Sequence, residues 1–305
     1  MPLDVPAGAW VALWAVLGLL VGSFLNVAIH RLPLEGETVS RPRRSRCPSC
    51  RTTLSWRENV PLVSWLVQRG RCRSCGWRIP WRYPLVEIAN ACLWGGVAWL
   101  ALPARWELAL VWSVALSALL VATAVDFDCF EIPDEISIGG IVAAPVASLL
   151  VPELHAQTWV AQWMAGPGAP VGPAEALFGA LAGIAVGGGI LWVIGVLGTK
   201  VYGRDAMGFG DVKLLAAGGG FVGPGGALFA LVLGSLVASV VGLLNMGRFF
   251  LLLRARARAR RRAASITRHL QLARIAGRYL PFGPYLALGI GIALVAWNHV
   301  ATWIP

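Results

Sequence analysis

Apolar residues in this chain come in blocks of about 20, the length at which a helix rising 1.5 Å per residue crosses the hydrocarbon core of a bilayer. Such blocks lie at 9–29, 84–102, 106–125, 133–151, 175–197, 226–247 and 282–303. Seven of them in 305 residues exclude a soluble globule. Composition agrees: only 13% of residues are charged, against about 25% in soluble domains. In lipid each backbone polar group must be satisfied within its own segment, so the chain reads as an all-α polytopic membrane protein. An eighth apolar stretch, 212–222, is short, contains Gly218, Gly219 and Gly220, and ends at Gly223-Pro224. It suits either a short span broken by its glycines or a re-entrant piece.

Charge placement decides between them. The formal net charge of +11, carried almost wholly by arginine, invites a nucleic-acid reading. The arginines, however, sit where a membrane topology puts them. Twelve lie in 31–82 and ten in 248–278, while 152–172 contains no Lys or Arg. Basic loops stay in the cytoplasm. Placing both clusters there needs an even number of crossings between them, so 212–222 must cross as well. The expectation is eight transmembrane helices with both termini outside, the lipid bilayer as partner and no nucleic acid. Arg105 alone among the basic residues then faces outward. The run Arg254 to Arg262 reads as a topology anchor on an interfacial helix. No basic residue precedes Arg31, so the first span lacks the charged start of a cleaved signal peptide and is expected to be retained. Three regions follow: a first transmembrane helix (1–29), a polar, arginine-rich cytoplasmic insert (30–83) and a seven-helix membrane domain (84–305).

The insert holds Cys47-Pro-Ser-Cys50 and, further on, Cys72-Arg-Ser-Cys75. Two Cys-x-x-Cys turns at such a spacing can aim four thiolates at one point, the closed tetrahedral site of a structural zinc ribbon. A small segment with few apolar runs needs a staple of this kind. Two disulfides, disfavoured in a reducing compartment, or a redox pair are the other readings. Cys92 and Cys129 belong to no motif.

Carboxylates near spans are rare and mark function by default. Asp126 ends the third span and Asp211 opens the sixth, in Gly208-Phe-Gly210-Asp211. The topology puts both at the cytoplasmic face, on different helices. A pair of this kind can hold one proton, so that one carboxyl polarises a carbonyl while the other activates water. Gly208 and Gly210 would let a substrate backbone approach closely. A proton relay in a transporter, or simple helix capping, would use the same residues differently. Asp128 is the nearest rival to Asp126, and Asp134 suits a helix start.

These residues resemble the prepilin peptidases, intramembrane aspartic proteases of the Gly-x-Gly-Asp class. The resemblance rests on six ordered motifs: Gly22-Ser-Phe-Leu-Asn26 through Arg31-Leu-Pro33, Glu58-Asn-Val-Pro61 through Trp65-Leu, Arg82-Tyr83-Pro84-Leu-Val-Glu87, Asp126 followed by Ile132-Pro133-Asp134, Gly208-Phe-Gly-Asp211-Val-Lys213, and Pro281-Phe-Gly-Pro284-Tyr-Leu. It implies that Asp126 and Asp211 are a catalytic dyad in a bacterial inner-membrane enzyme. The substrates it implies are type IV prepilins and the pseudopilins of type II secretion, cut after a glycine on the cytoplasmic side. Many family members also methylate the new N-terminus with S-adenosylmethionine, and those forms carry the four-cysteine insert, so the resemblance implies the bifunctional type. Where that donor would bind is unknown from the sequence, which has no Gly-rich nucleotide-binding loop following a strand.

Overall fold

A computed structural model describes residues 6–34, 36, 38–40, 44–203, 207–259 and 280–300. Among them the fold is helical: α1 (Ala7–Arg31), a short α2 in the insert (Val63–Val67), α3 (Arg82–Ala101), α4 (Trp106–Cys129), α5 (Asp134–Leu150), a short α6 (Trp159–Ala165), α7 (Pro173–Tyr202), α8 (Phe209–Ala259) and α9 (Gly283–Val300). Five of these, α1, α3, α4, α7 and α8, are long and apolar enough to cross a membrane by length and composition. The remaining apolar blocks of the sequence fall on α5, of 17 residues, and on α9. Of the anchor run Arg254 to Arg262, residues 254–259 end α8 and residues 260–262 lie outside the described residues.

Small residues and buried polar groups hold the bundle, as expected where lipid supplies no hydrophobic drive between helices. Helix α1 crosses α3 at Gly18 and Gly22, where an added Cβ would lie 2.8 Å from Trp94 Cβ and from Glu87 Cα respectively. Asn90, fully buried, donates to the Gly18 carbonyl at 2.8 Å and accepts from the Ser117 hydroxyl at 2.8 Å. Trp14 and Trp94 donate their indole N–H groups to Ser113 and Ser117 on α4. These bonds tie α1, α3 and α4 together.

Helix α8 is not straight. Gly219 and Ala227 would stand roughly 12 Å apart along a continuous helix, yet a Cβ on Gly219 would lie 3.3 Å from that of Ala227. Helix α9 agrees, because Ile290 packs on Gly218 while its neighbour Gly289 packs on Ala230. The chain therefore folds back at Gly223, whose φ of 72° and ψ of 177° leave the helix, with Pro224 opening the second arm. This corrects the reading of Gly218, Gly219 and Gly220 as the break. All three are helical, and their missing side chains permit contact: an added Cβ would overlap the Gly183 carbonyl at Gly219, Ile290 at Gly218 and Ala144 at Gly220.

The fold-back is capped by a buried cluster that the sequence did not announce. His155, with no exposure, sits 3.0 Å from Ser148 Oγ and 3.2 Å from the Gly220 carbonyl through Nε2, and 3.1 Å from Thr158 Oγ1 through Nδ1. Thr158 in turn packs on Gly223, and Gly179 of α7 on the imidazole. Burial holds His155 down at about 4, so the ring is neutral. Nearby, Arg105 pairs with Glu153 at 3.3 Å, giving the one outward-facing cation of the sequence reading a local partner.

Candidate active site and metal centre

Asp126 and Asp211 line the same cavity, of about 470 Å³. Helix α4 continues to Cys129 and is closed by Phe130 in the left-handed conformation, so Asp126 lies inside the last turn rather than at the helix end. It is 5% exposed, and its Oδ2 is buried without a hydrogen-bond partner. Asp211 lies in the first turn of α8, half-buried, near enough for the Asp126 charge to act on it. A buried carboxylate oxygen is costly to keep charged without a partner, which makes Asp126 a candidate for chemistry. Leu32 and Pro33, where α1 passes into the insert, also line the cavity, so the site and the insert share one end of the bundle.

The neighbours separate the two aspartates from their rivals. Asp128 forms an ion pair with Arg82 of α3 and is not part of the cavity wall. Asp134, the first residue of α5 with Pro133 before it, pairs with Lys213 of α8 and so joins two walls of the site. The two glycines expected to admit a substrate differ. Gly208 is exposed, with only Asp211 Oδ2 within 4 Å of an added Cβ, at 3.5 Å. Gly210 also lines the cavity, and it packs on Ile132, 3.3 Å from an added Cβ to Ile132 Cβ, which lets α8 approach the Ile132-Pro133 segment. Gly283 belongs to the Pro281-Phe-Gly-Pro284 motif, but nothing in the sequence places it beside the aspartates. Its Cα faces Asp126 so closely that an added Cβ would stand 2.5 Å from Oδ2, and its amide lies beside the carboxyl.

In the insert the four thiols of Cys47, Cys50, Cys72 and Cys75 all lie within 4.8 Å of one another, with Cys47 and Cys75 3.9 Å apart. A tetrahedron with metal–sulfur bonds of 2.3 Å has edges of about 3.8 Å, so the quartet could hold a metal ion with only small movements. The two halves are built alike. Cys47 N–H donates to Thr52 and Arg51 N–H back to Cys47; Cys72 N–H donates to Trp77 and Gly76 N–H back to Cys72. The fifth residue of each turn is left-handed: Gly76 at φ 71° and Arg51 at φ 58°. Burial pushes the Cys47 thiol up to about 11, while hydrogen bonds to Thr52 hold Cys50 at about 6. Cys92 and Cys129, both exposed, stand outside the cluster.

Comparison with known proteins is decisive. Residues 16–101 match the bacterial peptidase A24 N-terminal domain and residues 113–243 the type IV leader peptidase family. A prepilin leader peptidase/N-methyltransferase of Aeromonas hydrophila is 32% identical over 94% of this chain and 91% of its own length. The chain belongs to the type IV leader peptidase family. A prepilin leader peptidase/N-methyltransferase of Stutzerimonas stutzeri is 33% identical over 96% of this chain and 93% of the relative. In Escherichia coli O78:H11 a family member described as a type 4 prepilin-like proteins leader peptide-processing enzyme is 33% identical over 94% of each. No solved structure matches the chain. Both family segments carry one of the features above: the N-terminal one holds the cysteine quartet, the C-terminal one both aspartates.

Proposed function

We propose that this protein is an aspartic endopeptidase of the bacterial inner membrane that removes the leader peptide of type IV prepilins and type II secretion pseudopilins, and then methylates the new N-terminus. Asp126 and Asp211 are its catalytic dyad. The observation that carries the reading is the meeting of these two carboxylates, from α4 and α8, on the wall of one cavity at the insert end of the bundle. The relatives' names as prepilin leader peptidases and N-methyltransferases support the substrate and the second activity.

The dyad carries one proton. The ionised carboxyl takes a proton from a water held between the pair as the water oxygen attacks the scissile carbonyl, while the protonated carboxyl donates to the carbonyl oxygen. The tetrahedral intermediate then collapses: the carbon–nitrogen bond breaks, the proton taken from water passes to the departing amine, and a hydroxyl proton returns to the other carboxyl, restoring the singly protonated pair. Gly208, with open space beside it, gives the unwound peptide room. Gly283, Asp134 and Lys213 position the walls.

The topology that goes with this chemistry has eight spans, termini outside, and the insert and dyad in the cytoplasm. The fold-back at Gly223, which makes two crossings of one long helical stretch, supports it. The regional division is that of the sequence: 1–29 as the first span, 30–83 as the insert, 84–305 as the peptidase. The quartet Cys47, Cys50, Cys72 and Cys75 holds a structural zinc ion, which replaces the core this small segment lacks. Cleavage of a purified precursor in detergent tests the dyad: Asp126→Asn and Asp211→Asn each lower the rate by at least ~10²-fold, and full activity in either removes it from the mechanism.

A further inference from the structure

Three of the sequence motifs lie mostly outside the cavity of Asp126 and Asp211, and they converge on a second one. Ser23 and Asn26 come from α1, Asn59 and Trp65 from the stretch between the cysteine pairs, and Tyr83 and Glu87 from the start of α3. Cys47 and Cys72 form part of its wall, so the metal quartet braces it. The cavity measures about 140 Å³, close to an engineered cavity that holds one benzene, so it takes the charged end of a ligand rather than a whole drug-sized molecule.

Its chemistry is specific. Glu87 is only 7% exposed and Asn26 8%. Glu87 accepts the Leu62 amide at 2.8 Å and a bond from Ser23, but none of the ion pairs among the described residues reaches it. A buried carboxylate without a counter-charge is expensive unless a ligand brings one. Glu58, by contrast, is engaged by the Ser55 amide and hydroxyl at 2.9 and 2.7 Å, which hold its carboxyl below the usual range. Trp65, Trp77 and Tyr83 supply aromatic surface around the same space. A carboxylate with aromatic rings suits a poorly hydrated organic cation. Among the reactants of methyl transfer to an amine, the sulfonium donor has that character.

We infer that this cavity, between the end of α1, the start of α3 and the cysteine insert, binds the methyl donor S-adenosylmethionine, with Glu87 as its counter-charge. The inference rests on the methyl-transfer half of the proposed function. Position supports it: His30 and Arg31 line this cavity while the next two residues, Leu32 and Pro33, line that of Asp126 and Asp211. The end of α1 is a wall common to both, so an amine released at the dyad emerges beside the donor.

Ultraviolet photolabelling of the full-length protein with methyl-tritiated S-adenosylmethionine, followed by peptide mapping, tests the location. Label on the peptides carrying Trp65, Trp77 or Tyr83, displaced by S-adenosylhomocysteine, is the expected result. Label elsewhere that S-adenosylhomocysteine displaces overturns it. Equilibrium binding of S-adenosylhomocysteine gives a second readout: Glu87→Gln, which keeps an acceptor for Leu62, and Val27→Trp, which fills the cavity from α1, should each weaken it at least tenfold. Wild-type affinity in both folded variants refutes the cavity alone. A wild-type protein that cleaves a precursor but binds no donor refutes the methyl-transfer reading instead.

Discussion

Acidification should loosen the fold-back of α8 through one histidine. His155 is fully buried, its ring bonded to two hydroxyls and a carbonyl, and burial holds it at about 4, against about 6.5 in an unfolded chain. Between those values the unfolded state binds the proton and the folded state does not, so stability rises with pH and is lost as pH falls. The loss begins near pH 6.5, amounts to about 2 kcal/mol at pH 5 and approaches about 3 kcal/mol below pH 4, at 1.36 kcal/mol per unit. His155→Gln keeps a polar side chain but cannot titrate there. Unfolding of both proteins in detergent at about pH 7.5 and pH 5 gives the comparison, because every other titrating group contributes alike to each. The wild type should lose about 2 kcal/mol more than the variant over that interval. Equal losses would refute the reasoning and mean that the histidine is already charged in the folded state.

Two further outcomes concern the insert. Arg51 occupies the left-handed position that its twin turn gives to Gly76, so Arg51→Gly should stabilise the insert by about 1 kcal/mol, seen as slower metal loss to a chelator; no change would mean that the φ carries no strain. Cys72→Ser should abolish stoichiometric zinc in purified protein, measured by atomic absorption, and reduce methylation; unchanged metal content contradicts the ribbon.

Much of this architecture was legible because lipid imposes a simple rule on sequence. A block of 20 apolar residues has few fates in a membrane protein, and each such block became helix. The aspartates stood out for the same reason, being acids where acids are costly. What was illegible depended on partners distant in the chain. Gly218 to Gly220 read as a break because local propensity is all a sequence displays, whereas their purpose is contact with Gly183, Ala144 and Ile290. Gly210 reads as room for a substrate and does line the cavity, but its packing on Ile132 is not visible in the sequence. His155 carried no signal: Ser148 and Thr158 are ordinary hydroxyls in its own stretch of chain, and the partner that ties it to α8, the Gly220 carbonyl, is 65 residues away. Gly283 was within reach: a glycine between Phe282 and Pro284 at a helix start implies a close approach, although not that Asp126 makes it.

Mass spectrometry of a prepilin-type precursor co-expressed with this protein tests the central claim most directly. With the wild type, the precursor should appear without its leader and carrying one added methyl group. With Asp126→Asn or Asp211→Asn, present at the same level in the membrane, it should remain intact. A mature product from either variant in wild-type yield would contradict the account.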